Sequence, residues 1–528
     1  MTLHPASSRL VAPLLFLASA ACSGGGGDDG VANAPVSPQR SEVTLQATGP
    51  VASDGIAGAP VRVILRTADG RPIPGRVVRV RASGLDTEFV PSDAVPTGLD
   101  GTAEIRITST RAERKQLSFT VSNAGIDVEL PVQPEVDFVP ASVARRRVSV
   151  SSAGTEANDE SGQPAVSGNG RFVAFQSKAD NLVAGDDNGK EDVFVHDRDS
   201  GVVELVSLQP DGTPFPDLCG VPSLTDDGRL VAFEGRATDT DAVYVRDRLT
   251  GSTTRLPSPA GGSSRCFDAR IAGDGNSVAF LCNNGEWQRV FVRNLLTGTT
   301  TLVSVSSTGA AANGACERPS ISRDGRFVAF ASIADNLVSG DSNDKYDVFV
   351  HDLATGATRR VSVASNGDQG DDDSIEAAIA ADGGSVGFAS KAQNLVAGDD
   401  NGKSDVFVHD LLTAQTVRVS LDPQGNEVDK ESDQPALSAD GRFVVFASQS
   451  DDLVAGDRNG KQDVFRRDLV AGVTVRVSLA RGGGDPNEDT LEPALAADAP
   501  VVAFTGKADN LVANDDNDKE DVFVAPRD

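Results

Sequence analysis

Five near-copies of one acidic loop carry the residues in this chain with the types and spacing for chemistry. The first reads Asp186-Asp-Asn188-Gly-Lys190-Glu-Asp192, which places oxygen-bearing side chains at positions 1, 3 and 7. The others supply Asp341/Asn343/Asp347, Asp399/Asn401/Asp405, Asp457/Asn459/Asp463 and Asp515/Asn517/Asp521. Alternate residues of a tight loop can converge on one point, and hard cations such as Ca²⁺ take oxygen ligands of this kind. Position 5 offers a backbone carbonyl. Weak binding of Ca²⁺ at several sites is therefore one expectation, and no other cofactor is indicated. Against it, the loops lack the bidentate Glu of an EF-hand, and Lys at position 5 adds positive charge. The competing expectation is turn chemistry, with Asp and Asn bonding their own backbone and Gly189 and its equivalents relieving strain.

Other reactive residues obey the same register. Glu160-Ser161, Asp373-Ser374, Glu431-Ser432 and Asp489-Thr490 recur before each first strand, as extra carboxylates or as turn caps; capping is the preferred reading. Cys219, Cys266 and Cys316 replace the Ser/Thr of that pair in the second, third and fourth repeats, and Cys282 ends a strand of the third. Four cysteines allow three pairings; Cys219–Cys266 with Cys282–Cys316 is favoured. His196, His351 and His409 share one repeat position, where other copies carry Arg246, Arg293 or Arg467, which predicts a surface site. No nucleophile elbow, phosphate loop or zinc motif is present, and no catalytic residue is assigned.

The first Asp of the loop falls at 341, 399, 457 and 515, each 58 residues after the one before, with an outlying copy at 186. A period of this size marks repeat architecture. The strand Phe443-Val-Val-Phe446 and its relatives appear seven times, each followed by a strand of the type Asp463-Val-Phe. A preceding segment such as Gln163-Pro-Ala-Val-Ser and an Asn-Gly or Asp-Gly turn complete three strands, A to C, since those dipeptides suit the φ > 0 positions of tight hairpins. An outer strand D of the type Arg418-Val-Ser-Leu421 follows units one to six, while a seventh copy, Arg147-Val-Ser-Val150, precedes unit one. A closed ring explains that displacement, because the N-terminal strand then completes the last unit and closure leaves only short edges. The expected fold class is all-β: a seven-bladed β-propeller over about 145–528, with a β-sandwich before it. The repeats, for instance Ser438-Ala-Asp-Gly-Arg-Phe-Val-Val-Phe446, resemble the WD-like propeller repeats of TolB-type proteins.

Residues 41–138 alternate as strands separated by turns such as Asp69-Gly70 and Asp100-Gly101, which is sandwich spacing. The run from Ala68 to Val78, with Thr97-Gly-Leu-Asp-Gly-Thr-Ala103, resembles the Ig-like domains of bacterial invasins and intimins. That resemblance implies a spacer or stalk. Before it, residues 1–22 form an export signal: Arg9, then the apolar run Leu10–Ala18, then small residues and Cys22. Leu17-Ala-Ser-Ala-Ala-Cys22 resembles a bacterial lipobox, which implies lipidation of Cys22 and a membrane anchor; plain secretion is the alternative. Residues 23–40 are Gly-rich and read as a flexible tether. By the same resemblance, Ser23 rather than Asp after the Cys favours the outer membrane.

The chain has 528 residues and a formal charge of −29, which excludes nucleic acid as a partner and favours cationic ones. The expectation is a monomeric, envelope-anchored, non-enzymatic binding or scaffold lipoprotein whose acidic face, loaded with Ca²⁺ on the metal reading, meets an envelope or extracellular protein or glycan. The alternative is a propeller-type carbohydrate-active enzyme, a glycosidase or lyase using carboxylates around the channel.

Overall fold

The computed structural model describes residues 35–45, 51–52 and 58–527, apart from 84–86, 91–93, 99, 110–113, 124–125, 132–133, 140–144, 237–239, 260–263, 284 and 482. The export signal, Cys22 and most of the tether lie outside the described residues. The chain divides into two compact units, Met1–Val51 with Ala57–Phe138, and Ala52–Ile56 with Val139–Asp528.

In the first unit, alternation of apolar and polar residues builds two facing antiparallel sheets. One contains Glu42–Leu45, Gly58–Ile64, Thr102–Ser109 and Thr87–Val90; the other contains Val77–Ala82, Arg114–Asn123, Ile126–Glu129, Ala94–Pro96 and Glu135–Val139. Inward residues Val61, Val63, Ile105 and Ile107 meet Val78, Val80, Phe119 and Val121 in one core. Gly101 has φ 76°, and a Cβ there would stand 2.7 Å from the Leu65 carbonyl oxygen, so the turn requires glycine.

The second unit contains seven four-stranded antiparallel sheets among its described residues. The fifth is typical: A, Ser374–Ile379; B, Ser385–Ser390; C, Asp405–Asp410; D, Thr416–Arg418. Strands B and C are apolar almost throughout because both of their faces are covered. Phe388 stacks on its cross-strand neighbour Phe407 at 5.8 Å between ring centres, a pairing repeated in the other sheets. Each core joins consecutive sheets: Val406 and Val408 pack with Val444, Phe446 and Phe465 of the next. Val173, Phe175 and Phe194 of the first sheet share a core with Val501, Ala503 and Val524 of the seventh. The seventh sheet (Thr490–Leu495, Val501–Gly506, Asp521–Pro526) takes its outer strand from Arg146–Arg147, paired to Val524 and Phe523. This is propeller-type architecture.

Two expectations need correction. Strand D ends at the Arg rather than starting there: Thr416–Arg418 forms the ladder, and Val419-Ser-Leu421 turns away toward a bridge between Leu421 and Glu427. The register puts Arg418 opposite Phe407, and the Val419 N–H makes one last bond to the Val406 carbonyl at 2.7 Å before the chain leaves the ladder. The histidines are buried, not at the surface: His196, His351 and His409 are 8%, 4% and 4% exposed. His351 and His409 bond through Nδ1 to Thr358 and Thr416 of strand D at 2.9 Å. Arg293 and Arg467 reach the equivalent Thr300 and Thr474 at 3.1 and 2.9 Å. The longer side chain finds the same anchor, so tolerance of Arg signalled a shared hydrogen bond and not exposure.

The Asp-Gly-Arg turns have a use of their own. Arg326 and Arg442 each make a two-pronged ion pair, to Asp352 and Asp468, tying the A–B turn to the C–D turn of the same sheet. Those guanidinium bonds hold both carboxyls well below the usual carboxylate range.

Candidate functional site: the acidic loops and their arginines

Each acidic loop joins strands B and C and leans on the connection that leads from strand D into the next sheet. In four of the five its first half is fixed by an asparagine: Asn394 Nδ2 donates to the Gln369 carbonyl at 2.8 Å, and the neighbouring Leu395 is buried; the sixth sheet has Asp452 there. The Asp loop proper follows.

The position-3 asparagines do not stand as the free oxygen ligands that the metal expectation makes of them. All five, Asn188, Asn343, Asn401, Asn459 and Asn517, have their polar atoms committed within the protein. Each Oδ1 accepts from the backbone N–H of position 5. The distances are 2.7 Å for Asn188, 3.1 Å for Asn343, 2.6 Å for Asn401, 3.0 Å for Asn459 and 2.8 Å for Asn517. Each Nδ2 donates to a carbonyl of the neighbouring connection. Asn188 reaches Phe215 and Asn459 reaches Pro486, both at 3.0 Å. Asn343 reaches Gly370 at 2.9 Å, while Asn401 reaches Val428 and Asn517 reaches Ala157, both at 2.8 Å. The physical reason is local: position 4 turns the chain left-handed, which aims the position-5 N–H back at the Asn side chain. This is the turn chemistry of the second expectation, present at all five asparagines. Position 4 is Gly189, Gly402 or Gly460 at φ 61–64°, and Asp344 or Asp518 at 54° and 57°. Asp tolerates that region better than most residues.

Positions 1 and 7 behave differently. Asp192, Asp347, Asp405, Asp463 and Asp521 are fully buried. Each receives a hydroxyl from the Ser two residues past the strand-D Arg position, as Ser478 donates to Asp463 at 2.6 Å. In the fourth to seventh sheets the strand-D arginine reaches into the loop and bridges both aspartates with Nη1. Arg360 stands 3.3 Å from Asp341 and 3.0 Å from Asp347. Arg418 stands 3.6 Å from Asp399, 3.5 Å from Asp405 and 2.9 Å from Glu427. Arg476 stands 2.7 Å from Asp457 and 3.2 Å from Asp463, and also pairs with Asp485. Arg147 stands 3.1 Å from both Asp515 and Asp521, and also pairs with Glu156. These arginine side chains are only 5–9% exposed. Two groups have metal-like geometry, Asp399/Asp405/Glu427 and Asp515/Asp521/Glu156, with oxygens within 4.8 Å of one another. Both already hold a guanidinium between them.

Burial, with the neighbouring carboxylate second at Asp399, pushes Asp399 and Asp515 above the usual range; burial likewise lifts Asp463 to about 6. The arginines oppose that rise at all three. A buried charge is tolerated only with a partner of this kind.

Of the carboxylates before strand A, two cap backbone N–H groups and one makes an ion pair. Asp373 accepts from the Tyr346 backbone N–H and Asp489 from that of Gln462, both at 2.9 Å. Glu160 pairs with Lys178 at 2.8 Å.

The cysteines do not pair as expected. Cys266 and Cys282 form a disulfide, and Cys219 and Cys316 are free and buried. The first residue of strand A lies opposite the last or near-last residue of strand B in every sheet, as Ser374 opposes Ser390. Only the third sheet has Cys at both places, Cys266 opposite Cys282 with Cα atoms 4.1 Å apart. Cys219 faces Gly235, and Cys316 faces Ser332. The bond is thus a cross-strand staple within one sheet.

The A strands line a central cavity of about 450 Å³, whose wall includes Gln163, Arg270, Arg318, Glu376, Gln434 and Glu492. Each A strand bulges at one left-handed residue: Gln163, Val221, Asp268, Arg318, Glu376, Gln434 and Glu492 at φ 47–59°. Side chains link these bulges sheet to sheet. Glu492 accepts from the Gln163 backbone N–H at 2.7 Å, Gln434 from that of Glu492 at 2.7 Å, and Glu376 from that of Gln434 at 2.6 Å. Arg318 pairs with Glu376 at 2.9 Å. Beside them, burial and then the Glu376 charge push Asp433 up to about 6. Sequence reasoning missed both the arginine inserts and this ring. The arginine was legible as the recurrent Arg-Val-Ser of strand D; the bulge left no signal of its own.

Fold and loops together define an all-β chain made of a sandwich unit and a propeller-type unit with arginine-plugged acidic loops. Residues 41–133 match the family model described as bacterial Ig-like domain (group 1), which meets the Ig-like likeness read from the sequence. No curated protein sequence matches the chain. Among solved structures, the chain is similar to an oligogalacturonate lyase in complex with manganese, at 13% identity and TM-score 0.46, over 79% of this chain and 98% of that one. It is similar to TolB from Acinetobacter baumannii at 14% identity and TM-score 0.37, over 73% and 80%. It is also similar to the β-propeller domain of the Trilobed protease from Pyrococcus furiosus, at 11% identity and TM-score 0.45, over 70% and 95%.

Proposed function

We propose that this chain is an exported, envelope-anchored, non-enzymatic binding lipoprotein. On this reading the seven sheets are the blades of one closed propeller, fastened by the Arg146–Arg147 strand. Cys22 carries the lipid that holds the chain at the outer membrane, and the Ig-like unit spaces the propeller from that membrane. The match to a bacterial Ig-like model supports an envelope protein.

The observation that carries the reading is the division of labour among the loop carboxylates. In four of the loops arginine engages the buried carboxylates, while Asp187, Asp400, Asp452, Asp516 and Asp518 stay exposed on the acidic loops. Such a surface attracts and orients a basic partner without chemistry. The partner class is a protein with a cationic face. Its binding should weaken with salt and fail when Asp187, Asp400, Asp452 and Asp516 are together changed to Asn. Capture from envelope extract that survives this quadruple change would sink the reading. For the anchor, Cys22→Ser should move the chain from the membrane to the soluble fraction.

One observation favours a second reading, a carbohydrate-active enzyme: Glu376 in the central cavity beside Asp433, whose carboxyl is pushed up to about 6. Two neighbouring carboxyls in a cavity are the groups that acid–base hydrolysis of a glycosidic bond uses. Turnover of an acidic oligosaccharide, abolished by Glu376→Gln, would establish it in place of the first.

A further inference from the structure

Among the five loops, only that of the first sheet has lost its arginine. The strand-D position opposite Phe194, filled by arginine in the fourth to seventh sheets, is Leu205. The third carboxylate is gone as well: the bridge position held by Glu156 and Glu427 in sister loops is Pro214 here. The aspartates remain. Asp192 is fully buried and takes the Ser207 hydroxyl at 2.5 Å and the Asn188 amide at 2.7 Å. Asp186 is 6% exposed, and its carboxylate has no hydrogen-bond or ion-pair partner among the described residues.

Sister loops show what this spot accepts. In them a guanidinium nitrogen sits between the two carboxylates, and the second nitrogen of Arg418 donates to the Gly398 carbonyl at 2.7 Å. The corresponding oxygens of the first loop are the carboxylates of Asp186 and Asp192 and the carbonyl of Gly185. By the repeat register these are the hard donors that surround arginine in the sister loops, here without its positive centre. Two buried carboxylates without a cation are costly.

We infer that the Asp186/Asp192 loop of the first sheet is a single divalent-cation site of the Ca²⁺ class, in which the bound ion takes the place that arginine fills in the other four loops. Oxygen-only donors favour Ca²⁺ over softer metals, and water completes the shell. Few protein donors put the affinity in the range of about 10⁻⁴–10⁻³ M. The site stands apart from the partner-binding role proposed above and does not require it.

The test is a calorimetric and thermal-melting titration of the full chain with CaCl₂ at neutral pH, against MgCl₂. One site per chain is expected, with Ca²⁺ at about ten times its dissociation constant raising the melting temperature by about 1–3 °C. Leu205→Arg should supply the missing guanidinium and abolish the response while folding normally. Asp186→Asn, nearly isosteric, should abolish it independently. No binding to the unaltered chain overturns the proposal, because a proton would then suffice for the pair. A stoichiometry of four or five overturns it too, since arginine would then not exclude the ion. A response retained in both variants places the ion elsewhere and has the same consequence.

Discussion

The first and fifth sheets carry the same loop, Gly-Asp-Asp-Asn-Gly-Lys, down to its left-handed glycine, yet they solve opposite electrostatic problems. In the fifth, Arg418 lies among Asp399, Asp405 and Glu427. In the first, Leu205 and Pro214 replace Arg418 and Glu427, and the buried aspartates Asp186 and Asp192 keep no built-in cation. The lesson is that an acidic motif does not disclose its counter-charge. One loop sequence can enclose an internal salt bridge or an ion site, and the deciding residue lies on another strand.

The largest effect should come from breaking the plugged loop. Arg418→Ala leaves three carboxylates without their shared cation, two of them buried. Removing one partner of such a buried network costs about 3–5 kcal/mol, read as a fall in denaturant midpoint at neutral pH. A loss below about 1 kcal/mol would mean that the carboxylates are solvated in the folded chain.

The first sheet should respond to pH in the opposite sense from the turn aspartates Asp352 and Asp468, whose arginine pairs lower their carboxyls. The folded Asp186 carboxyl is raised to about 6, above its unfolded value. The fold therefore favours the protonated form. The stability this contributes is full below about pH 4 and is lost as pH rises through 6. Asp186→Asn stays neutral throughout. It should match the parent chain near pH 4 and exceed it at pH 8 by up to about 3 kcal/mol. Chelator is present in both samples, so that only the proton is tested. Equal stability of the two chains at pH 8 would show that Asp186 carries no burial penalty.

How much of this was legible follows from where each signal sits in the chain. The sheets were readable because Val-Ala-Phe and Asp-Val-Phe-Val repeat locally and burial on both faces demands such runs. The turn role of Asn188, and equally of Asn343, Asn401, Asn459 and Asn517, was readable for the same reason, since the partner is two residues away. The arginine plug joins residues 13 apart with matched burial, Arg418 to Asp405, and both halves were in view as separate repeat markers. Only the strand register turns them into one object. The histidines misled because interchange with Arg looks like exposure, although His351 and His409 reach the same strand-D Thr position that Arg293 and Arg467 reach. The cysteines misled because spacing between repeats was weighed above register within one.

Register also decides the irregular third sheet. Cys266–Cys282 closes a short hairpin, and chain-entropy reasoning for a loop near 15 residues gives about 3 kcal/mol as an upper figure. Reduction, or Cys266→Ser with Cys282→Ser, should therefore lower stability by about 1–3 kcal/mol. Cys219→Ser and Cys316→Ser should leave the disulfide intact by mass spectrometry. A Cys219–Cys266 peptide in a non-reducing digest would contradict the register.

The smallest effect concerns the position that takes either His or Arg. In the fourth sheet His351 bonds Thr358, and in the sixth Arg467 bonds Thr474, from the same place in strand C. Burial lowers the His351 pKa, so at neutral pH it is an uncharged hydrogen-bonding group. Buried Arg467 must instead keep its charge, and burial lowers its pKa as well. If the two are alternatives for one anchor, His351→Arg should change stability by less than about 1 kcal/mol, since the new guanidinium finds Thr358 and the sixth sheet already tolerates one buried at Arg467. His351→Ala should be worse than His351→Arg, because it leaves the buried Thr358 hydroxyl without that partner. The reverse ranking, with Arg the more damaging, would mean that the fourth sheet packs its outer strand more tightly than the sixth, and that the repeats are less interchangeable here than their shared loop suggests.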